Sequence, residues 1–163
     1  MADPVSAALK SAGTAFSACK ATYDFIQGMR KAPKDIRAVA DDLHGFYSVL
    51  GALSHSIQKC QGLFGTLETS CLVALHLENI TSLISNAATE FTDVYERVQN
   101  FTAADGEVIK GLLERFKWET SEKEEVRQTQ SRLANIKSSL QLALSSLTLY
   151  VLPRGCCRGK RSG

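Results

Sequence analysis

The chain has 163 residues, of which 44% are hydrophobic and 22% charged; this suits one globular domain with a single core. Its formal net charge is +2, from 19 basic and 17 acidic residues, but Arg154, Arg158, Lys160 and Arg161 all follow Pro153 with no acid among them. The body before that tail is slightly acidic, which argues against a dedicated nucleic-acid binder, whose basic face extends across the fold.

In chain order, the main signal is a three-four spacing of apolar residues, which places them on one side of a helix. The first segment reads Val5, Leu9, Ala12, Phe16, Cys19, Tyr23, Ile26. Asp3 can cap it, with Pro4 in its first turn. Gly28 and Ala32-Pro33 separate it from a second segment, Ile36, Val39, Leu43, Phe46, Leu50, Leu53, Ile57, Cys60. Proline pushes Ala32 out of helical geometry and can itself open the next helix. Gly62 and Gly65 bracket a loop. The third segment reads Val73, Leu77, Ile80, Ile84, Ala87, Phe91, Val94, Val98, and a second break is expected over Asn100 to Gly106. A short helix is predicted at about residues 107–117, carrying Val108, Leu112, Leu113 and Phe116. Ser121 and Glu124 form a potential capping box for the last helix, whose stripe is Leu133, Ile136, Leu140, Leu144, Leu147, Val151. Pro153-Arg-Gly155 ends it.

The expectation is therefore an all-α fold: an antiparallel bundle of four long helices plus one short helix. The bundle is placed over residues 1–152, with 153–163 as a disordered, basic, cysteine-containing tail. Each long helix would have about 26–30 residues and span roughly 40 Å. Short loops should make sequential helices antiparallel neighbours.

Five cysteines at irregular spacing do not make a disulfide framework. With no secretory leader legible after Met1, the expected place is the reducing cytoplasm. Asn79-Ile-Thr81 and Asn100-Phe-Thr102 then read as chance matches to a glycosylation pattern. His44, His55 and His76 are isolated, and Cys60, Cys71 and His76 fit no zinc spacing. Asp41-Asp42 and Glu124-Glu125 read as solvated helix faces. No phosphate loop, dinucleotide glycine pattern or metalloprotease motif is present. The expectation is a chain without catalytic residues, cofactor, metal, nucleic-acid partner or small-molecule substrate.

Two segments stand out. From Val5 to Cys19 the only charged residue is Lys10, and small residues are abundant. Such a helix is either an ordinary core helix or one that packs at rest and enters lipid when released. The tail places Cys156 and Cys157 among basic residues, which suits reversible lipidation beside anionic lipid. The other reading is a solvated end with two free thiols.

Three stretches carry a family resemblance. They are Met1-Ala-Asp-Pro-Val-Ser6; Lys31-Ala-Pro-Lys-Asp-Ile-Arg37 with the Leu43–Leu53 stripe; and Leu113-Glu-Arg-Phe-Lys-Trp118 with Val126–Leu133, Ile136–Leu140 and Leu142-Ala-Leu144. Together they resemble the fungal N-terminal domain of STAND/NOD-like receptors, close to the HeLo-like and azaphilone-cluster N-terminal families. The resemblance covers about residues 1–152 and rests mostly on helix-packing positions. It implies a helical signalling or cell-death effector domain that oligomerises and associates with membrane, peripherally at the plasma membrane, and among individual residues it implies a membrane-binding role for Val5, Leu9, Ala12 and Phe16 alone. The partners it implies are a second copy or homologous receptor domains; anionic lipid is the partner that the basic tail suggests. The alternative is an adaptor or homotypic interaction domain with no membrane activity.

Overall fold

The computed structural model describes residues 3–29, 32–60, 67–103 and 123–151. These form four helices, α1 (Pro4–Gly28), α2 (Lys34–Cys60), α3 (Leu67–Ala103) and α4 (Lys123–Val151), with no strand among the described residues. The start of α1 follows its sequence signal. The Asp3 carboxylate accepts from the Val5 N–H at 3.3 Å and from the Ser6 hydroxyl at 3.0 Å, and Pro4 has no N–H to leave without an acceptor in the first turn. The predicted short helix at 107–117, residue Ser121 of the capping box and the 153–163 tail lie outside the described residues. The expected break does not begin at Asn100, because α3 continues to Ala103 and reaches 37 residues. None of Asn100 to Ala103 is a strong helix breaker, each costing under about 1 kcal/mol.

The buried positions recur every 3.5 residues on average, the repeat of helices that coil around one another with a left-handed twist. The whole expected stripes of α2 and α3 are buried. On α4 the buried seam is Val126, Thr129, Leu133, Leu140 and Leu147, with Ile136 and Leu144 partly covered. α1 differs from its expected stripe. Its seam is Val5, Ala8, Ala12, Ala15, Cys19, Thr22 and Ile26, all with almost no exposure, while Leu9 and Tyr23 are only partly buried. Where the sequence offers a large and a small apolar residue side by side, α1 turns the small one inward.

That choice sets the arrangement of the helices. α1 packs against both α2 and α3, α4 packs against the same two, and α2 and α3 meet only narrowly across the middle. The small seam lets α1 approach closely enough for its side chains to reach neighbouring backbones. Cys19 Sγ lies 3.4 Å from Leu43 O, and the Thr22 hydroxyl shares its proton between Ala18 O at 2.8 Å and Phe91 O at 3.1 Å. Phe46 of α2 and Phe91 of α3 fill the space those small residues leave, meeting edge-to-face with centroids 5.0 Å apart.

Cross-helix contacts fix the directions. Phe16 on Tyr47 and Cys19 at Leu43 run α1 against α2, whereas Thr22 at Phe91 and Phe25 on Tyr95 run α1 along α3. The ion pairs Arg97–Glu125 and Arg132–Glu90 run α3 against α4, while Lys123–Asp35 aligns the starts of α2 and α4. Sequential helices therefore do alternate in direction, as expected. α2 and α3, however, stand diagonally, with α1 and α4 filling the other corners. The ion pairs are solvent-exposed on at least one side, so each contributes about 0–1 kcal/mol and mainly records register.

Lys137 Nζ rests against Gly45 of α2. Nearby, burial pushes the Asp42 carboxyl above its ordinary value; Lys137 draws it back and Asp41 adds to the rise. A carboxyl raised on folding favours the folded state when protonated. Its contribution is full below the unfolded value and is lost as pH rises through the folded value. Asp42→Asn should therefore raise Tm at neutral pH, with the gain shrinking as the buffer is taken below the carboxylate range. An equal gain at both ends of such a series would refute the assignment.

Candidate functional surface

Among the described residues no group of three His, Cys, Asp or Glu side chains converges as a metal site would require. Cys60 is buried at the end of α2, whereas Cys71 is exposed on α3. Burial pushes the Cys19 thiol up to about 12 and raises Cys60 as well. Thiols held this way are inert because the reactive form is the thiolate. Alkylation of the native protein at pH 8, followed by peptide mass mapping, should modify Cys71 promptly and reach Cys19 and Cys60 only after denaturation. Prompt labelling of Cys19 would mean that α1 opens from α2.

The candidate membrane residues of α1 do not form one exposed face. Val5 and Ala12 lie in the closed seam, Leu9 is partly covered, and Phe16 is 39% exposed with its ring 4.9 Å from that of Tyr47. In the closed bundle Val5 and Ala12 cannot touch lipid. Cys156 and Cys157 lie outside the described residues. No helix among the described residues is long and apolar enough to cross a membrane.

The surface instead divides along the bundle axis. The helix pairings above place Val5, Ile57, Val73 and Leu147 in one layer, near the end where α1 and α3 begin and α2 and α4 finish. From that end to roughly the level of Phe16 and Tyr47, the four helices carry only Lys10, Lys59, Glu68 and Glu78 as charged residues. α4 has none from Ser138 to Val151. The opposite half is dense in charge: α2 opens with Lys34, Asp35, Arg37, Asp41 and Asp42, and α4 opens with Lys123, Glu124, Glu125 and Arg127.

All the large apolar side chains left exposed among the described residues lie in the charge-poor half. Besides Phe16 they are Leu72 and Leu75, each 57% exposed, Leu142 at 71% and Leu149 at 73%. The four leucines share one flank. Midway along the bundle a shallow depression of about 350 Å³ is lined by Asn86, Thr89, Glu90 from α3 and Arg132, Asn135, Ile136 from α4. Leu72 and Leu75 lie two seven-residue repeats before Asn86 and Thr89; Leu142 and Leu149 lie one and two repeats after Asn135. Residues seven apart share a face in helices coiled this way, so the leucines continue the same α3–α4 groove toward the charge-poor end. The expected stripes do not include them. The available signal was the uncharged run beginning at Ser138, together with more leucines than one seam can hold. No family model matches the chain, and neither curated proteins nor solved structures give a match.

Proposed function

We propose that this chain is a non-enzymatic signalling or effector bundle of the fungal innate-immunity kind, acting in incompatibility or regulated cell death by oligomerisation and membrane association. It would work in the cytoplasm and peripherally at the plasma membrane. The observation that carries this reading is the lengthwise division of the surface, with a charged half and a half that leaves leucines in water. Large exposed apolar groups cost free energy unless something covers them at work, and clusters of them mark interaction surfaces. The resemblance over residues 1–152 to the N-terminal domains of STAND/NOD-like receptors supports the same reading and suggests homologous helical domains as protein partners.

The test is flotation of the whole chain with vesicles of phosphatidylcholine alone or with phosphatidylserine, alongside light scattering over a concentration series. The expected result is flotation with the anionic vesicles and a rise in mass with concentration. Self-association with no flotation at any lipid composition would favour the adaptor reading. A monomer that ignores every vesicle would remove both.

A further inference from the structure

We propose that the protein joins further copies of itself head to tail, the α1–α2 flank of one copy docking on the α3–α4 leucine flank of the next, so that assembly is open-ended. This deepens the oligomerisation reading above and rests on it. The two flanks lie on opposite sides of the bundle, because α1 and α4 stand at opposite corners. The α3–α4 flank holds the four exposed leucines and, farther along, the depression at Asn86 and Ile136. The α1–α2 flank holds Phe16, the other large apolar side chain left exposed among the described residues, in an aromatic cluster with Tyr47, Tyr23 and His44. Toward the charge-poor end this flank continues with Gly13, Gly51 and Ser54, small residues within one repeat of Phe16 or Tyr47. A methyl group added at either glycine meets no atom within 4 Å, so nothing of the bundle itself covers them.

The two flanks match in register. The Thr22–Phe91 bond joins positions 69 apart on α1 and α3, which run the same way, and the Lys123–Asp35 pair aligns α2 with α4 likewise. A copy moved sideways without turning therefore brings Phe16 level with Asn86 and the depression, and Ser54 level with Leu142. Charge follows the same register. Lys20 lies one turn after Phe16, and Arg37 one repeat before His44, so both belong to the α1–α2 flank. Lys20 comes level with Glu90 and Arg37 with Glu125, while Asp24 falls between Asp93 and Arg97. Glu90 meets Arg132 through one oxygen, and its other oxygen is buried with no hydrogen-bond partner among the described residues. Leaving such an acceptor unmatched costs free energy, and an arriving ammonium group recovers it. Size fits as well. Two helices of about 25 residues side by side present a strip roughly 20 Å wide and 38 Å long, close to the roughly 800 Å² per partner of a standard interface. A symmetric pair through the leucines would leave Phe16 in water, whereas unlike flanks on opposite sides cover both patches and propagate.

The experiment follows mass by light scattering over a concentration series without lipid, for the parent and two variants, each first checked for an unchanged melting curve. The parent should grow past a dimer without a plateau. Phe16→Glu, and Leu142→Glu with Leu149→Glu, should each stay monomeric to concentrations at least tenfold above those at which the parent assembles. Mixed in equal amounts, the two variants should form a one-to-one dimer and stop, because each retains the flank that the other has lost. A parent that stops at a dimer, a Phe16→Glu chain that assembles as the parent does, or a mixture that stays monomeric overturns the proposal. A parent that stays monomeric yet floats with vesicles overturns it while leaving membrane association standing. A parent that is monomeric and ignores every vesicle removes the functional reading itself. Should either variant melt lower, Phe16→Gln or Leu142→Gln with Leu149→Gln serves in its place, judged by the same tenfold criterion.

Discussion

Replacing Phe46 with alanine should destabilise the bundle by about 3–5 kcal/mol. For a chain of this length that corresponds to a Tm drop on the order of 10 °C. Phe46 is fully buried and packs edge-to-face on Phe91, which is also fully buried. The two rings join α2 and α3 across the centre, where little else connects those helices. The opposing α1 positions are Cys19 and Thr22, whose short side chains cannot extend into the space left behind. The cavity would therefore stay largely open, which puts the cost toward the upper end for such truncations. Chemical denaturation of parent and variant measures it, and a loss under 1 kcal/mol would show that the centre repacks. Phe91→Ala should behave alike. The double variant should cost less than the sum, because each single change already breaks the ring pair.

Ala15→Leu should cost about 1–3 kcal/mol, although leucine is a good helix former and more apolar than alanine. Ala15 has no exposed surface and belongs to the seam that lets α1 lie close to both α2 and α3. Added carbons there must push a helix outward, lengthening the reach of Thr22 to Phe91 O and of Cys19 to Leu43 O. Gly13→Ala on the same helix provides the contrast. A methyl group there meets no other atom within 4 Å, so the variant should gain up to about 1 kcal/mol from helix propensity alone. Thermal melts of the pair separate close packing from propensity. Equal stability of Ala15→Leu and the parent would mean that the α1 seam is loose.

Much of the fold was legible because α2 and α3 place an apolar residue at every seam position, with mostly polar or small residues between despite Val49, Leu75 and Leu83. Their stripes from Ile36 to Cys60 and from Val73 to Val98 are buried throughout. α1 was legible as a helix but not in its facing. Leu9, Phe16 and Tyr23 each follow a smaller residue that occupies the seam, and hydrophobicity alone ranks the larger one first. Which helices would be neighbours was also hidden, because four stripes of the same repeat fit several arrangements equally well. The small size of Ala8, Ala12 and Ala15 was the clue that α1 would lie close to two helices at once. On α4 an excess of leucine concealed the flank. Leu140 and Leu147 face inward, while Leu142 and Leu149, two positions later, face water. No count of apolar residues separates the two sets without the neighbouring helix in place.

The diagonal placing of α2 and α3 makes the molecule two clasped hands rather than a ring of rods. α1 with α2 is one hairpin, α3 with α4 the other, and each grips its mate through helices that run the same way. Only the stretch between Cys60 and Leu67 ties the hands together. Two copies could trade grips, each hairpin closing on its counterpart from the other chain, with every buried contact preserved. Such an exchange would join molecules without any surface having evolved for the purpose.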